Sequence, residues 1–65
     1  MRIQVNGAWH EVRTPQLAQA LEDLGYGDRV VSTAVNGEFV AVQARAATCL
    51  CEGDRIEVLA PMQGG

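Results

Sequence analysis

Sixty-five residues make one domain, and a chain this short buries only about 60% of the surface its unfolded form exposes. A deep catalytic cleft needs hundreds of cubic ångströms and would compete with the core for the same few side chains, so a carrier, a binding module or a structural piece is favoured over an enzyme. The net charge is −3, with Arg2, Arg13, Arg29, Arg45 and Arg55 scattered among eight acids, which argues against nucleic acid as a partner and for an acidic surface meeting a basic one.

No apolar run approaches the roughly 20 residues that span a bilayer. The opening MRIQV lacks the basic region and apolar stretch of a signal peptide. A cytoplasmic protein with no membrane partner is expected. The chain has no lysine, so no side-chain amine would compete for an activated acyl group, although an arginine-favouring genome is sufficient reason for that.

MRIQV alternates, with Met1, Ile3 and Val5 on one face and Arg2 and Gln4 on the other, the pattern of a half-buried strand. Asn6-Gly7 then signals a two-residue type I′ hairpin, whose turn needs positive φ at both positions. This register sets Val5 against Ala8, Ile3 against His10 and Met1 against Val12. It places Arg2 opposite Glu11, a favourable cross-strand pair. Trp9 falls on the outer face. His10, with no partner nucleophile or acid in the pattern, is read as a surface or edge residue.

TPQLAQALEDLGYG reads as a helix of about 10 residues, too short to be stable without a sheet beneath it. Thr14 is the expected N-cap and Pro15 the first helical position. Leu17, Ala20, Leu21 and Leu24 form one stripe, and Gly25 supplies the left-handed end. RVVSTAVNGEFVAV reads as a second strand pair around Asn36-Gly37. Its apolar run over residues 30–42 is nearly continuous, so the buried face stays open. QARAATCLC is ambiguous, with a short helical turn as one reading. Glu52-Gly53-Asp54 is a turn, and RIEVLA the last strand, with Ile56 and Val58 on one face and Arg55 and Glu57 on the other. One helical stripe over one face of a small mixed sheet gives an α+β roll in two layers.

Cys49 and Cys51 form C-x-C. A zinc site needs four ligands, and the chain offers these two and the distant His10, so no metal site is expected. The spacing is not that of a C-x-x-C redox pair. Packing as small buried hydrophobes is the expected role, with a sulfur-relay role as the second reading.

The chain finishes on Gly64-Gly65. At an average glycine usage of about 7%, a terminal pair arises by chance in roughly 0.5% of chains, so a function is expected of it. A backbone without Cβ enters slots too narrow for any other residue. Five residues, 61–65, reach some 16–18 Å at about 3.3–3.6 Å each. Pro61 ends ladder hydrogen bonding. The reactive group delivered is the α-carboxylate of Gly65, which must be activated before it accepts nitrogen or sulfur. The expectation is a domain over 1–60 and a flexible tail over 61–65.

IQVNG at 3–7, LAQALEDLG at 17–25, AVNGEFV at 34–40 and GDRIEVLAPMQGG at 53–65 together resemble the ThiS family, the sulfur carriers of thiamine thiazole biosynthesis. The resemblance covers essentially the whole chain. It implies a ubiquitin-like β-grasp fold with the last strand inside the sheet beside the first. It implies that a ThiF-type adenylyltransferase consumes ATP to adenylate Gly65, that sulfur then gives a Gly65 thiocarboxylate, and that thiazole synthase (ThiG-type) takes the sulfur. The carrier would be a cosubstrate with no catalytic residues and no bound cofactor of its own. Partner contacts are expected at Gly64, Gln63 and Met62 in the tail and at Leu59 and Phe39 beside it, core packing being the alternative for the last two. The chain departs from many relatives at Ala41-Val42-Gln43, where they have a proline and a basic residue. A small subunit of molybdopterin synthase would use the same tail chemistry but is usually longer. A ubiquitin-like modifier or binding module is the remaining alternative.

Overall fold

The computed structural model describes residues 1–60. Two Asn-Gly turns organise it. In both, asparagine and glycine take positive φ: 51° and 85° at Asn6-Gly7, 50° and 87° at Asn36-Gly37. The first joins β1 (Arg2–Val5) to β2 (Ala8–Glu11) in the expected register, Val5 facing Ala8, Ile3 facing His10 and Arg2 facing Glu11. Beyond Arg2 the pairing continues to Met1 and Val12 through two hydrogen bonds: the Val12 N–H donates to the Met1 carbonyl at 2.9 Å, and the Met1 amine donates to the Val12 carbonyl at 3.0 Å. The second turn joins β3 (Ser32–Val35) to β4 (Glu38–Val40).

The last strand, β5 (Arg55–Leu59), enters the middle of the sheet, giving the order β2-β1-β5-β3-β4. It runs parallel to β1 and antiparallel to β3. This is the central placement that the family resemblance implies, and the sheet with its one α-helix is a β-grasp.

The helix α1 covers Leu17–Asp23, shorter than expected. Thr14 does not cap it, and Pro15 precedes it. Thr14 Oγ1 instead accepts the Gln16 N–H at 3.1 Å, and Gln16 is extended, bridged antiparallel to Cys49. The tertiary pairing overrides the local signal: the Leu17 N–H donates to the Thr48 carbonyl at 3.0 Å, which satisfies a donor that a capping side chain would otherwise serve. At the other end the expectation holds. Gly25 has φ 96°. Its N–H donates to the Glu22 carbonyl, and that of Tyr26 to the Leu21 carbonyl, a Schellman closure.

Leu17, Ala20 and Leu21 bury the expected stripe, with Leu24 half-buried beside them. They share one core with Ile3, Val5, Val12, Leu50, Ile56 and Val58. The face left open for residues 30–42 is now assigned: Thr33 is buried, and Val35 and Val40 pack partly on the core. Val30 stands 80% exposed outside the strand. The ambiguous segment is a 3-10 helix over Val42–Ala47 that buries none of its residues. Among the described residues, no helix is long and apolar enough to cross a membrane.

Candidate functional site

The candidate site is the end of β5 and the sheet surface beside it. Met62, Gln63, Gly64 and Gly65 lie outside the described residues, so the site is read from the strand that leads to them. On one edge, Leu59 pairs with Ser32 and Val58 with Thr33. On the other, the β1 ladder supplies Gln4 N–H to the Asp54 carbonyl and Asn6 N–H to the Ile56 carbonyl, both at 2.9 Å. There β1 turns away into its hairpin.

The Asn6 side chain carries the pairing further. Its Oδ1 accepts the Val58 N–H at 2.9 Å, and its Nδ2 donates to the Val58 carbonyl at 3.0 Å. One amide thus presents the acceptor and donor that a continued β1 would have presented. As a result β5 is held on both edges as far as Val58, two residues from Ala60.

The sequence missed this. Asn-Gly is a sufficient turn signal in itself, so nothing in the pattern asks what the asparagine side chain does. The second turn does something similar at the start of β5. Asn36 Oδ1 accepts the Arg55 N–H at 2.9 Å, and its Nδ2 donates to Asp54 Oδ1 at 3.0 Å.

Phe39 and Leu59 are not core residues. They are 72% and 63% exposed, because β-strand alternation turns them to the face opposite the helix. Phe39 pairs with Ala34, which pairs in turn with Glu57. With Ser32 and Leu59 these residues border a shallow depression of about 130 Å³. It is an apolar patch with a carboxylate at its margin, adjacent to the last residues of β5.

The other candidates fall elsewhere. Trp9 lies on the outer face as expected, half-exposed, with the Arg2 guanidinium 4.8 Å from its ring centroid. That stacking is the contact Arg2 makes beside its pairing with Glu11. His10 is exposed on the edge strand β2. The packing role expected for the cysteines is wrong: Cys49 and Cys51 are both free and exposed. The residue between them, Leu50, takes the buried position, and alternation sends its neighbours outward. Among the described residues, no group of three or more His, Cys, Asp or Glu side chains is placed to hold a metal.

The ThiS family model matches residues 3–65. The crystal structure of the thiamine biosynthesis protein ThiS from Geobacter metallireducens superposes with a TM-score of 0.84 at 30% identity, covering 100% of both chains. An NMR solution structure of a thiamine biosynthesis protein from the same organism gives 0.77 at 30% identity, over 100% of this chain and 88% of that one. No curated protein matches the chain at a significant level. A match across nearly all residues, together with a fold shared end to end, places the chain in the ThiS family of thiamine-biosynthesis sulfur carriers.

Proposed function

We propose that this chain carries sulfur on Gly65 as a thiocarboxylate. A ThiF-type enzyme attacks the α-phosphorus of ATP with the Gly65 carboxylate, forming the acyl adenylate and releasing pyrophosphate. A sulfur nucleophile then displaces AMP, and thiazole synthase takes the sulfur from the resulting thiocarboxylate. The carrier supplies no catalytic group and binds no cofactor; ATP belongs to the activating partner. Reactions of this kind belong in the cytoplasm, where both partners would be met.

The observation that supports this reading is the placement of β5. A strand held on both edges runs out of the middle of the sheet into a segment ending in Gly-Gly. A paired strand is a fixed base, and the glycine pair is narrow enough to enter a partner's slot. Phe39 and Leu59 are the docking contacts on the body, and Met62, Gln63 and Gly64 those within the tail. One carrier must leave each partner in turn, which suits a small, partly apolar patch.

The test is intact-mass analysis after incubation with the cognate adenylating enzyme, ATP and a sulfur donor. The expected product has one oxygen replaced by sulfur, localised to Gly65. One residue added after Gly65 abolishes the gain while the domain remains folded. Sulfur acquired by the extended chain would move the site away from the terminus, with the exposed Cys49 and Cys51 next in line.

A further inference from the structure

We infer that Asn6 is a positioning residue for activation of the C-terminus, acting through the backbone of Val58. This rests on the carrier reading above and adds to it the device that fixes the base of the tail.

The geometry is specific. In a parallel pair, each residue of one strand donates to and accepts from residues spaced along the other. The β1 ladder proceeds regularly from the Asp54 carbonyl to the Ile56 carbonyl. The next bonds would need β1 to continue straight, but Asn6 sits at φ 51° and begins the hairpin. Both next partners on β5 belong to Val58, and both are taken by the Asn6 amide. Serine or threonine has no amide nitrogen, and glycine has no side chain. Asparagine both tolerates positive φ and offers an acceptor and a donor in one plane.

Without that amide, β5 beyond Ile56 would keep only its β3 edge. A strand held on one edge is less firmly fixed at Val58 and at Leu59 and Ala60 beyond it. Activation requires the Gly65 carboxylate to meet the α-phosphorus of ATP in line. Misplacement of a reacting group by about 1 Å costs up to a hundredfold in rate. Of the docking patch, Phe39 lies on β4 and keeps its place, while Leu59 follows Val58 on β5, so binding of the carrier is affected less than its activation. The larger effect belongs in kcat.

Asn36 provides the internal control. Its amide holds the same strand at the end away from the tail, accepting the Arg55 N–H and donating to the Asp54 side chain where Asn6 bonds the Val58 backbone twice. Asn6→Gly and Asn36→Gly each keep a residue suited to positive φ and each lose two amide hydrogen bonds on or beside β5. A structural role alone would make kcat follow the loss of stability in both variants.

The experiment compares wild type, Asn6→Gly, Asn6→Asp and Asn36→Gly as full chains, below all their melting midpoints. Amide hydrogen exchange is read at Val58, and steady-state adenylation is measured with the cognate ThiF-type enzyme. In Asn6→Gly, exchange at Val58 rises roughly tenfold, as loss of a part-buried hydrogen bond predicts, and kcat falls about tenfold or more, a larger change than in KM. Asn6→Asp, which keeps the acceptor for the Val58 N–H, recovers part of both. Asn36→Gly leaves kcat at the wild-type value. Unchanged Val58 exchange in Asn6→Gly, an unchanged kcat, or equal losses in the two glycine variants would each overturn the positioning role. A wild-type chain that is not adenylated at all overturns the carrier reading instead, and removes the positioning role with it.

Discussion

The two hairpins are built on one turn and flank one strand, yet they contribute different things. The β1–β2 hairpin supplies core: Ile3 is fully buried and Val5 nearly so. The β3–β4 hairpin places a threonine in the equivalent layer, with Thr33 2% exposed. The outer faces differ in the opposite sense. Trp9 on the first hairpin lies under the Arg2 guanidinium, whereas Phe39 on the second stands open at 72% exposure. The first hairpin holds the molecule together, and the second presents a surface.

The largest effect that tests this division is Ile3→Ala. The substitution leaves a cavity beneath the helix and costs about 2–5 kcal/mol. A domain of this length has a total stability of about 3–10 kcal/mol, so the variant loses a large share of it. Urea titration by circular dichroism checks this. A loss below about 1 kcal/mol would mean that the core does not depend on the first hairpin as its burial indicates.

A smaller effect is expected from the polar arrangement in the second hairpin. The Thr33 hydroxyl donates to the Val40 carbonyl at 2.9 Å and accepts from Arg45 Nε at 3.1 Å. Arg45 Nη2 donates to the Val31 carbonyl at 2.7 Å. The 3-10 helix that carries Arg45 has no buried residue to offer, so one guanidinium ties it to β3 and to the segment before β3. Arg45→Ala removes two bonds from a partly water-accessible site and costs about 1–2 kcal/mol. Arg45→Lys recovers little, because an ammonium cannot reproduce the two-pronged geometry. Full stability in Arg45→Ala would show that the second hairpin is sealed by its apolar contacts instead.

The same contrast governs how much could be read from the sequence. The first hairpin was legible down to its register, since strict alternation and Asn-Gly admit one pairing. The stripe Leu17, Ala20, Leu21, Leu24 and the Gly25 stop were legible for the same reason: period and termination agree. The helix start was misread because Thr14-Pro15 is a strong local signal, and the pairing of Gln16 with Cys49 that overrides it is 33 residues distant. The buried face of β3 was illegible because its central inward residue is a threonine, made tolerable by an arginine twelve residues away. Cys49 and Cys51 were misassigned because their residue type favours burial, while the register of Leu50 decides the matter. Phe39 and Leu59 were singled out by their proximity to the tail; the exposure of Phe39 came from a strand phase that the apolar run 30–42 concealed, whereas Leu59 shares the outer face of β5 with Arg55 and Glu57. Asn6 shows the remaining limit: a residue with one sufficient role gives no sign of a second.

The smallest effect on stability belongs to Phe39→Ala. The ring is largely in water already, so its removal changes unfolding free energy by less than about 0.5 kcal/mol. Its consequence lies in association. A large exposed aromatic next to Leu59 and Ala34 has the composition of an interface anchor, and truncating such an anchor commonly costs more than about 1 kcal/mol of binding. KM for the adenylating partner therefore rises about tenfold while kcat holds, the reverse of the pattern expected for Asn6→Gly. Trp9→Ala is the comparison that could break the division between the hairpins. Trp9 sits on the opposite edge strand and already has a partner in Arg2, so its removal leaves KM unchanged. Equal losses from Trp9→Ala and Phe39→Ala would mean that partners read the whole outer face of the sheet, and that the open ring on β4 has no privileged place in docking.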